Sequence, residues 1–195
     1  MQHAKRNVLG YTLVEVLVVV SIIGILSSMG VVGLQRAVAN ARIRGAAINS
    51  AAFIEQVANL SRQRNEVLCL GYTTTSDPRT LLVVRDGDEG NCSGGTIASL
   101  TIDSPNQFVP NGEGCPTSMA SWLNPNPNNN IPIKFNPQTI GLAATPPEGG
   151  ICIKYGGDDI YGAVRKERSK NRVIPMWKVG NDATQNGDWS NWTEL

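Results

Sequence analysis

Histidine is almost missing from this chain: the only one is His3, close to the first residue. Without histidine, the rest of the chain cannot form a Ser–His or Cys–His catalytic pair, and it cannot bind a metal ion through an imidazole. Hydrolysis by paired carboxylates or by a Ser–Lys pair needs no histidine, but no group of residues suggests either. We therefore expect no enzyme activity, no catalytic residues, no metal site and no cofactor.

Charge and proline are both scarce in the segment that follows. Between Tyr11 and Leu34 there are 24 residues with one charge, Glu15, and no proline. A helix of about 20 apolar residues spans a bilayer core, so this segment is long enough to cross a membrane. Lys5 and Arg6 precede it, which favours a cytoplasmic N-terminus.

A cleaved secretory signal peptide is the alternative interpretation of this segment. The apolar region of such a peptide is usually shorter, and a cleavage site of small residues should follow it. Here the apolar run is followed by Gln35-Arg36-Ala37 and by further helical sequence. The pattern therefore favours a membrane anchor that is retained.

Glu15 is the one residue that does not fit a simple anchor. A carboxylate in the middle of an apolar helix costs about 2.5–3.5 kcal/mol on insertion scales, and such residues usually have a partner and a role. Glu15 lies only five positions into the run, so snorkelling to the interface is one interpretation. The other is a nearby cation, and cleavage between Gly10 and Tyr11 would create one, the new α-amine.

The segment Gly10-Tyr11-Thr12-Leu13-Val14-Glu15, followed by a long apolar helix, resembles the class III signal of type IV pilins and type II secretion pseudopilins. In that family a membrane prepilin peptidase cuts after the glycine and methylates the new first residue. The glutamate then pairs with the N-terminal amine of a neighbouring subunit. The resemblance, which covers residues 5 to about 60, implies that Gly10 is the cleavage residue, Tyr11 the methylated N-terminus and Glu15 the assembly glutamate.

Two positions depart from the family pattern. Phenylalanine is usual where this chain has Tyr11, and many pilins carry a proline where this chain has Val32. Without that proline the helix is expected to unwind less in a filament, although Gly24, Gly30 and Gly33 could still loosen it.

Four cysteines follow the anchor, on the side expected to face an oxidising compartment: Cys69, Cys92, Cys115 and Cys152. No two are spaced as C-x-x-C, which argues against an all-cysteine zinc site. Two disulfides are the better prediction in such a compartment. Four cysteines allow 3 connectivities, and the spacing does not choose among them; we favour Cys69–Cys92 with Cys115–Cys152.

The hydrophobic pattern predicts one helix from Tyr11 to Leu60, which is amphipathic beyond Leu34. After Arg64, short β-type runs separated by Gly, Pro, Asn and Asp clusters predict strands. These runs are Val67–Thr75, Thr80–Arg85, Thr96–Ile102, Ile131–Phe135, Gly150–Tyr155, Ile160–Arg165 and Arg172–Val179. Long loops are predicted at Asp86–Gly95, Ser104–Ser121 and Asn124–Asn130, a hairpin turn at Tyr155–Asp159, and an irregular docked tail at Asn181–Leu195.

These patterns predict an α+β fold, in which a long N-terminal α-helix packs on a C-terminal antiparallel β-sheet domain. The expected organisation is a leader at residues 1–10, a helix at 11–60 with its membrane-spanning part at 11–34, and a globular β-rich domain at 61–195. An N-terminal helix laid on an antiparallel β-domain is the pilin architecture. The strand-rich, loop-rich domain with wide cysteine spacing points to a minor pilin or minor pseudopilin as much as to a major subunit.

Two charged segments are candidate binding sites. The acidic segment Asp86–Asn91 misses the calcium-loop spacing and is interpreted as a solvated turn. The segment after Val164 has five cations and one acid: Arg165, Lys166, Arg168, Lys170 and Arg172, with Glu167 among them. Clustered cations are typical of a phosphate-binding surface, but a solubilising hairpin tip or a face that docks on another subunit explains them as well.

The function expected from the sequence is that of a structural subunit of a type IV pilus-like filament or type II secretion pseudopilus. Its partners would be prepilin peptidase, the inner-membrane assembly platform, other subunits and, before assembly, the membrane itself. The chain would cross the inner membrane once, with its C-terminal domain in the periplasm, and then enter an extracellular or periplasmic filament. A minor pilin that binds DNA during natural transformation is the alternative. Loss of residues 1–10 would leave 15 basic and 16 acidic residues, so overall charge does not favour nucleic acid.

Overall fold

The structure is a computed structural model that describes residues 10–72, 81–86, 94–109, 133–137, 149–157, 159–167, 172–180, 189 and 191–195. One helix, α1, spans Leu13–Arg64. The strands are β1 Leu68–Tyr72, β2 Leu81–Asp86, β3 Thr96–Thr101, β4 Asn106–Val109, β5 Ile133–Phe135, β6 Gly149–Tyr155, β7 Ile160–Lys166, β8 Ile174–Val179 and β9 Thr193–Glu194. The predicted α+β fold, a long N-terminal helix followed by antiparallel β-structure, is confirmed.

Helix α1 begins two residues later than predicted and ends four residues later. Its C-terminal end is defined by Asn65, whose φ of 55° lies in the left-handed region. The Glu66 N–H donates to the Ser61 carbonyl at 3.2 Å, and the Asn65 N–H donates to the Arg62 carbonyl at 3.3 Å. These two bonds form a Schellman motif, which satisfies carbonyls that the helix itself leaves without partners.

The chain forms two compact units, Met1–Val38 and Ala39–Leu195. The first unit contains the apolar half of α1, and every side chain described there is exposed. The second unit contains the rest of α1 and all nine described strands.

The strands of the second unit form two sheets rather than one. Their orders are β3-β2-β1-β5 and β4-β6-β7-β8-β9, and every described pairing is antiparallel. Strands β6 and β7 pair with each other on either side of the predicted hairpin turn at Tyr155–Asp159, as a hairpin requires; Asp158 lies outside the described residues.

Strands β4 and β9 lie where loops or irregular chain were predicted. Strand β4 falls inside the predicted loop Ser104–Ser121, and β9 falls inside the predicted tail. Strand β4 has only two apolar residues, Phe108 and Val109, and its pairing with β6 is a long-range contact. Such a short run is too brief to show strand periodicity. The strand therefore depends on tertiary pairing rather than on local sequence pattern.

Both sheets and the second half of α1 share one hydrophobic core. The helix contributes Ile43, Ile54 and Val57, each at most 1% exposed. The first sheet contributes Leu68, Leu70 and Phe135, and the second contributes Phe108, Ile151, Ile153 and Val164. Full burial of each such side chain stabilises the fold by about 1.5–3 kcal/mol, so this core holds the helix on the sheets.

Gly162 on β7 allows the helix to approach the second sheet closely. A Cβ atom at Gly162 would lie 3.1 Å from the Ile43 carbonyl oxygen and 3.3 Å from the Ala47 Cβ. Directly across the β7–β8 ladder lies Trp177, and the Arg44 guanidinium stacks over its ring at 4.0 Å. The absence of a side chain at Gly162 therefore sets the distance between helix and sheet.

The opposite face of the second sheet carries a smaller core that the C-terminal tail helps to cover. Tyr161 and Met176 are buried there, and Trp192 is 7% exposed. The Trp189 and Trp192 rings lie 5.3 Å apart, tilted by 58°. The Lys178 Nζ lies 5.2 Å from the Trp192 ring centroid. The described end of the tail, Trp189 and residues 191–195, is therefore docked on this face, and it adds strand β9 to the sheet where irregular chain was predicted.

Candidate functional site at the helix N-terminus

Thr12 is the N-cap of α1. It stands directly before the first helical residue, Leu13, and its carbonyl accepts the Val16 N–H at 3.3 Å. Its hydroxyl oxygen accepts the Glu15 N–H at 3.2 Å. That N–H is one of the four donors that the start of every helix leaves without a partner. A threonine hydroxyl in this position is a favoured way to satisfy it.

Glu15 completes the cap from the other side. Its Oε2 accepts the Thr12 backbone N–H at 2.9 Å and the Thr12 hydroxyl at 3.1 Å. Together with the bond from the Glu15 N–H, this reciprocal pattern is a capping box. A carboxylate in the first turn is also favoured by the helix dipole. In a bilayer the arrangement matters more, because no water is present to satisfy these backbone groups.

The surface that follows Glu15 is apolar and uncovered. Helix α1 is long and apolar enough to cross a membrane, and every side chain described between Leu13 and Val38 is exposed. The Ser21 and Ser28 hydroxyls donate to the Leu17 and Ile25 carbonyls at 2.8 Å and 2.7 Å. Because these hydroxyls are satisfied within the helix, they require no outside polar partner. An exposed apolar surface of this extent marks contact with a membrane or with other proteins.

The bond predicted to be cleaved lies outside the helix. Gly10, Tyr11 and Thr12 are not helical, and Tyr11 is 88% exposed. The Gly10–Tyr11 peptide bond therefore precedes the first helical residue and is not part of the helical hydrogen-bond ladder. Cleavage of this bond would therefore not require α1 to unwind.

The Glu15 carboxylate retains capacity for a further partner. A carboxylate can accept about four hydrogen bonds, and the two from Thr12 both go to Oε2. In the described part of the chain the ion pairs are Arg64–Glu66 and Arg165–Glu167, so Glu15 has no cationic partner there. The helix start thus presents a capped carboxylate, on an exposed apolar helix, to whatever packs against it.

The structure places the predicted cysteines only in part. Cys69 on β1 and Cys152 on β6 are both disulfide-bonded and 1% exposed. Cys92 and Cys115 lie outside the described residues, so the predicted connectivity stays a prediction.

The predicted basic patch is not one continuous exposed surface in the part that is described. Lys166 is 2% exposed, and its neighbour Arg165 points to the other face of the strand, as alternate strand residues do. Arg165 lies 3.2 Å from Glu167 in an ion pair and stacks on Trp189 at 4.7 Å. Arg172 is exposed, whereas Arg168 and Lys170 lie outside the described residues. The acidic turn Asp86–Asn91 also lies outside them, except for Asp86 at the end of β2.

Sequence reasoning missed the role of Thr12. The spacing Thr12-x-x-Glu15 immediately before an apolar run is a capping-box signature that can be read directly from the sequence.

The prokaryotic N-terminal methylation motif matches residues 5–31 of the chain. This motif is the class III prepilin signal, and its presence is consistent with a type IV pilin-like protein. The motif implies processing by a prepilin peptidase and assembly with other pilin-type subunits. Neither a curated protein nor a solved structure matches the chain significantly.

Proposed function

We propose that this chain is a structural subunit of a type IV pilus-like filament or of a type II secretion pseudopilus. In this proposal prepilin peptidase cleaves after Gly10 and methylates Tyr11, and the subunit then assembles through α1. The observation that carries the proposal is the methylation motif over residues 5–31, which covers the non-helical Gly10–Tyr11 bond and the start of an exposed apolar helix. The exposed apolar surface supplies the physical reason for assembly.

Before assembly, the apolar half of α1 would anchor the chain in the inner membrane. Lys5 and Arg6 favour a cytoplasmic N-terminus, which would put the second unit in the periplasm. The disulfide bonds of Cys69 and Cys152 support this assignment, because disulfides persist in the bacterial periplasm and are rare in the cytosol. The inner-membrane assembly platform would then draw subunits from this position into the filament.

In the filament, copies of the same helix would replace lipid around the apolar surface. Glu15 would then pair with the Tyr11 amine of a neighbouring subunit. In such a low-dielectric environment, a carboxylate without a partner is costly, and a cation that it can bind offsets that cost. We propose a minor rather than a major subunit, because the sequence after Arg64 combines many short strand-like runs with long predicted loops and widely spaced cysteines.

The DNA-binding alternative has less support. It depends on the predicted basic patch, which has three described cations. Lys166 is buried, and Arg165 contacts Glu167 and Trp189. Only Arg172 is exposed, and one phosphate contact supplies little affinity on its own.

Processing in the native host tests the proposal. We expect the intact mass of the membrane-extracted protein to match a chain that begins at Tyr11 and carries one added methyl group. A Gly10→Val variant should retain residues 1–10 and should be missing from sheared filaments. Gly157→Ala is the matched control, because Gly157 is exposed and has room for a Cβ atom. Wild-type protein that retains residues 1–10 would overturn the proposed function.

A further inference from the structure

We propose that Thr12 is a positioning residue for Glu15: its hydroxyl orients the carboxylate that receives the neighbouring subunit's amine. This inference rests on the proposed function and deepens it. It concerns a residue that makes no bond to the incoming amine and acts on it only through Glu15.

Two hydrogen bonds hold the Glu15 carboxylate, and a third, from the Glu15 backbone, holds the Thr12 hydroxyl in place. The Thr12 N–H and the Thr12 hydroxyl both donate to Glu15 Oε2, at 2.9 Å and 3.1 Å. The same hydroxyl oxygen accepts the Glu15 N–H at 3.2 Å. A glutamate side chain on an exposed helix otherwise samples several rotamers, so these bonds restrict the direction of its carboxylate.

The two oxygens of the Glu15 carboxylate have different roles in this arrangement. Oε2 accepts both bonds from Thr12, which leaves Oε1 and its two lone pairs for a donor from outside the chain. An ammonium group from a neighbouring Tyr11 can therefore bind without breaking the cap. Capping and assembly use different atoms of one carboxylate and do not compete.

A hydroxyl is well suited to this position because one oxygen atom must donate and accept at the same time. Threonine and serine provide this, whereas valine has the same shape as threonine and provides neither. The backbone N–H of residue 12 remains in any variant except proline. Thr12→Val therefore removes the hydroxyl contribution alone, and Thr12→Ser restores it.

The consequence is a carboxylate that is already oriented when a neighbouring subunit arrives. Restricting a group in its bound geometry removes part of the ordering cost of binding. Loss of a Thr or Ser cap typically reduces the equilibrium constant for folding of the helix or protein by about fivefold. We expect a loss of this size in pairing between Glu15 and the Tyr11 amine.

The test uses the full-length protein in filaments isolated from the native host. A zero-length carbodiimide crosslinker joins a carboxylate to an amine that contacts it, and mass spectrometry identifies the Tyr11–Glu15 product. The measured quantity is the crosslinked fraction of processed subunits within filaments, so changes in cleavage or in filament yield do not enter it. Thr101→Val is the matched control, because Thr101 is an exposed threonine on β3.

We expect Thr12→Val to lower the crosslinked fraction about fivefold, and we expect Thr12→Ser and Thr101→Val to leave it near the wild-type value. A purely structural cap would reduce the filament yield of Thr12→Val while leaving the crosslinked fraction unchanged, and that result would overturn the inference. If Thr12→Val forms no filaments, Thr12→Ser and Thr12→Ala are compared instead, and equal crosslinked fractions would refute the role of the hydroxyl. Absence of the crosslink in wild-type filaments, together with normal incorporation of Glu15→Ala, would instead refute Glu15 pairing in the proposed function.

Discussion

The two halves of α1 have the same backbone conformation and opposite surroundings. From Leu13 to Val38 every described side chain is exposed, although the segment is the most apolar in the chain. From Ala39 onwards the helix packs its apolar side chains on two sheets, and Ile43 and Ile54 are completely buried. The tendency of the sequence to form a helix therefore does not by itself explain the stability of either half. The second half is stabilised by the chain's own core, whereas the first half needs a bilayer or other subunits.

The largest expected effect comes from separating the two units. A chain that begins at Ala39 retains the whole described core, so we expect it to fold, to remain soluble without detergent and to unfold cooperatively. The full-length chain should partition into membranes or detergent, because its first unit is apolar and exposed. Sedimentation of both forms with and without detergent is the measurement. If the chain from Ala39 onwards aggregated or lacked a cooperative transition, the second unit would depend on the first.

The next effect compares one isoleucine from each half. Ile54 is completely buried and Ile25 is 59% exposed, so Ile54→Ala leaves a cavity and Ile25→Ala does not. We expect Ile54→Ala to lower the free energy of unfolding of the second unit by about 2–5 kcal/mol. In the full-length chain in detergent, Ile25→Ala should leave that transition unchanged. Thermal unfolding followed by circular dichroism measures both, and equal shifts would contradict the division into two units.

Much of this organisation can be predicted from the sequence, for reasons that differ between the halves. The apolar run and the motif around Gly10 are local signals, so the helix start and the resemblance can be recognised directly. The end of the helix is harder to predict, because Asn65 ends it through a left-handed backbone conformation rather than through a change in the hydrophobic pattern. Strand β4 could not be predicted, because its partner β6 lies far along the chain.

Burial of charged residues is the other feature that local pattern did not reveal. Lys166 and Arg165 are adjacent in a basic segment and looked equivalent in the sequence. In the structure Lys166 is buried and Arg165 is only partly exposed. The alternation of a β-strand separates neighbours onto opposite faces, and only the position of the strand within the sheet decides which face is covered.

The smallest effect tests how tightly the second half of α1 is held. A Cβ atom at Gly162 would lie 3.1 Å from the Ile43 carbonyl oxygen, so Gly162→Ala requires the helix to move by a few tenths of an ångström. Overpacking of this kind costs about 1–3 kcal/mol. Gly157→Ala is the matched control, because it adds the same methyl group to an exposed turn with no atom within 4 Å, and surface changes usually stay within about 0.5 kcal/mol. Denaturant unfolding of the chain from Ala39 onwards compares the two variants. Equal stability of the two variants would mean that the helix can shift on the second sheet without loss of stability. The second half of α1 would then be packed less tightly than the contacts at Gly162 indicate, and the two halves of α1 would differ less in packing.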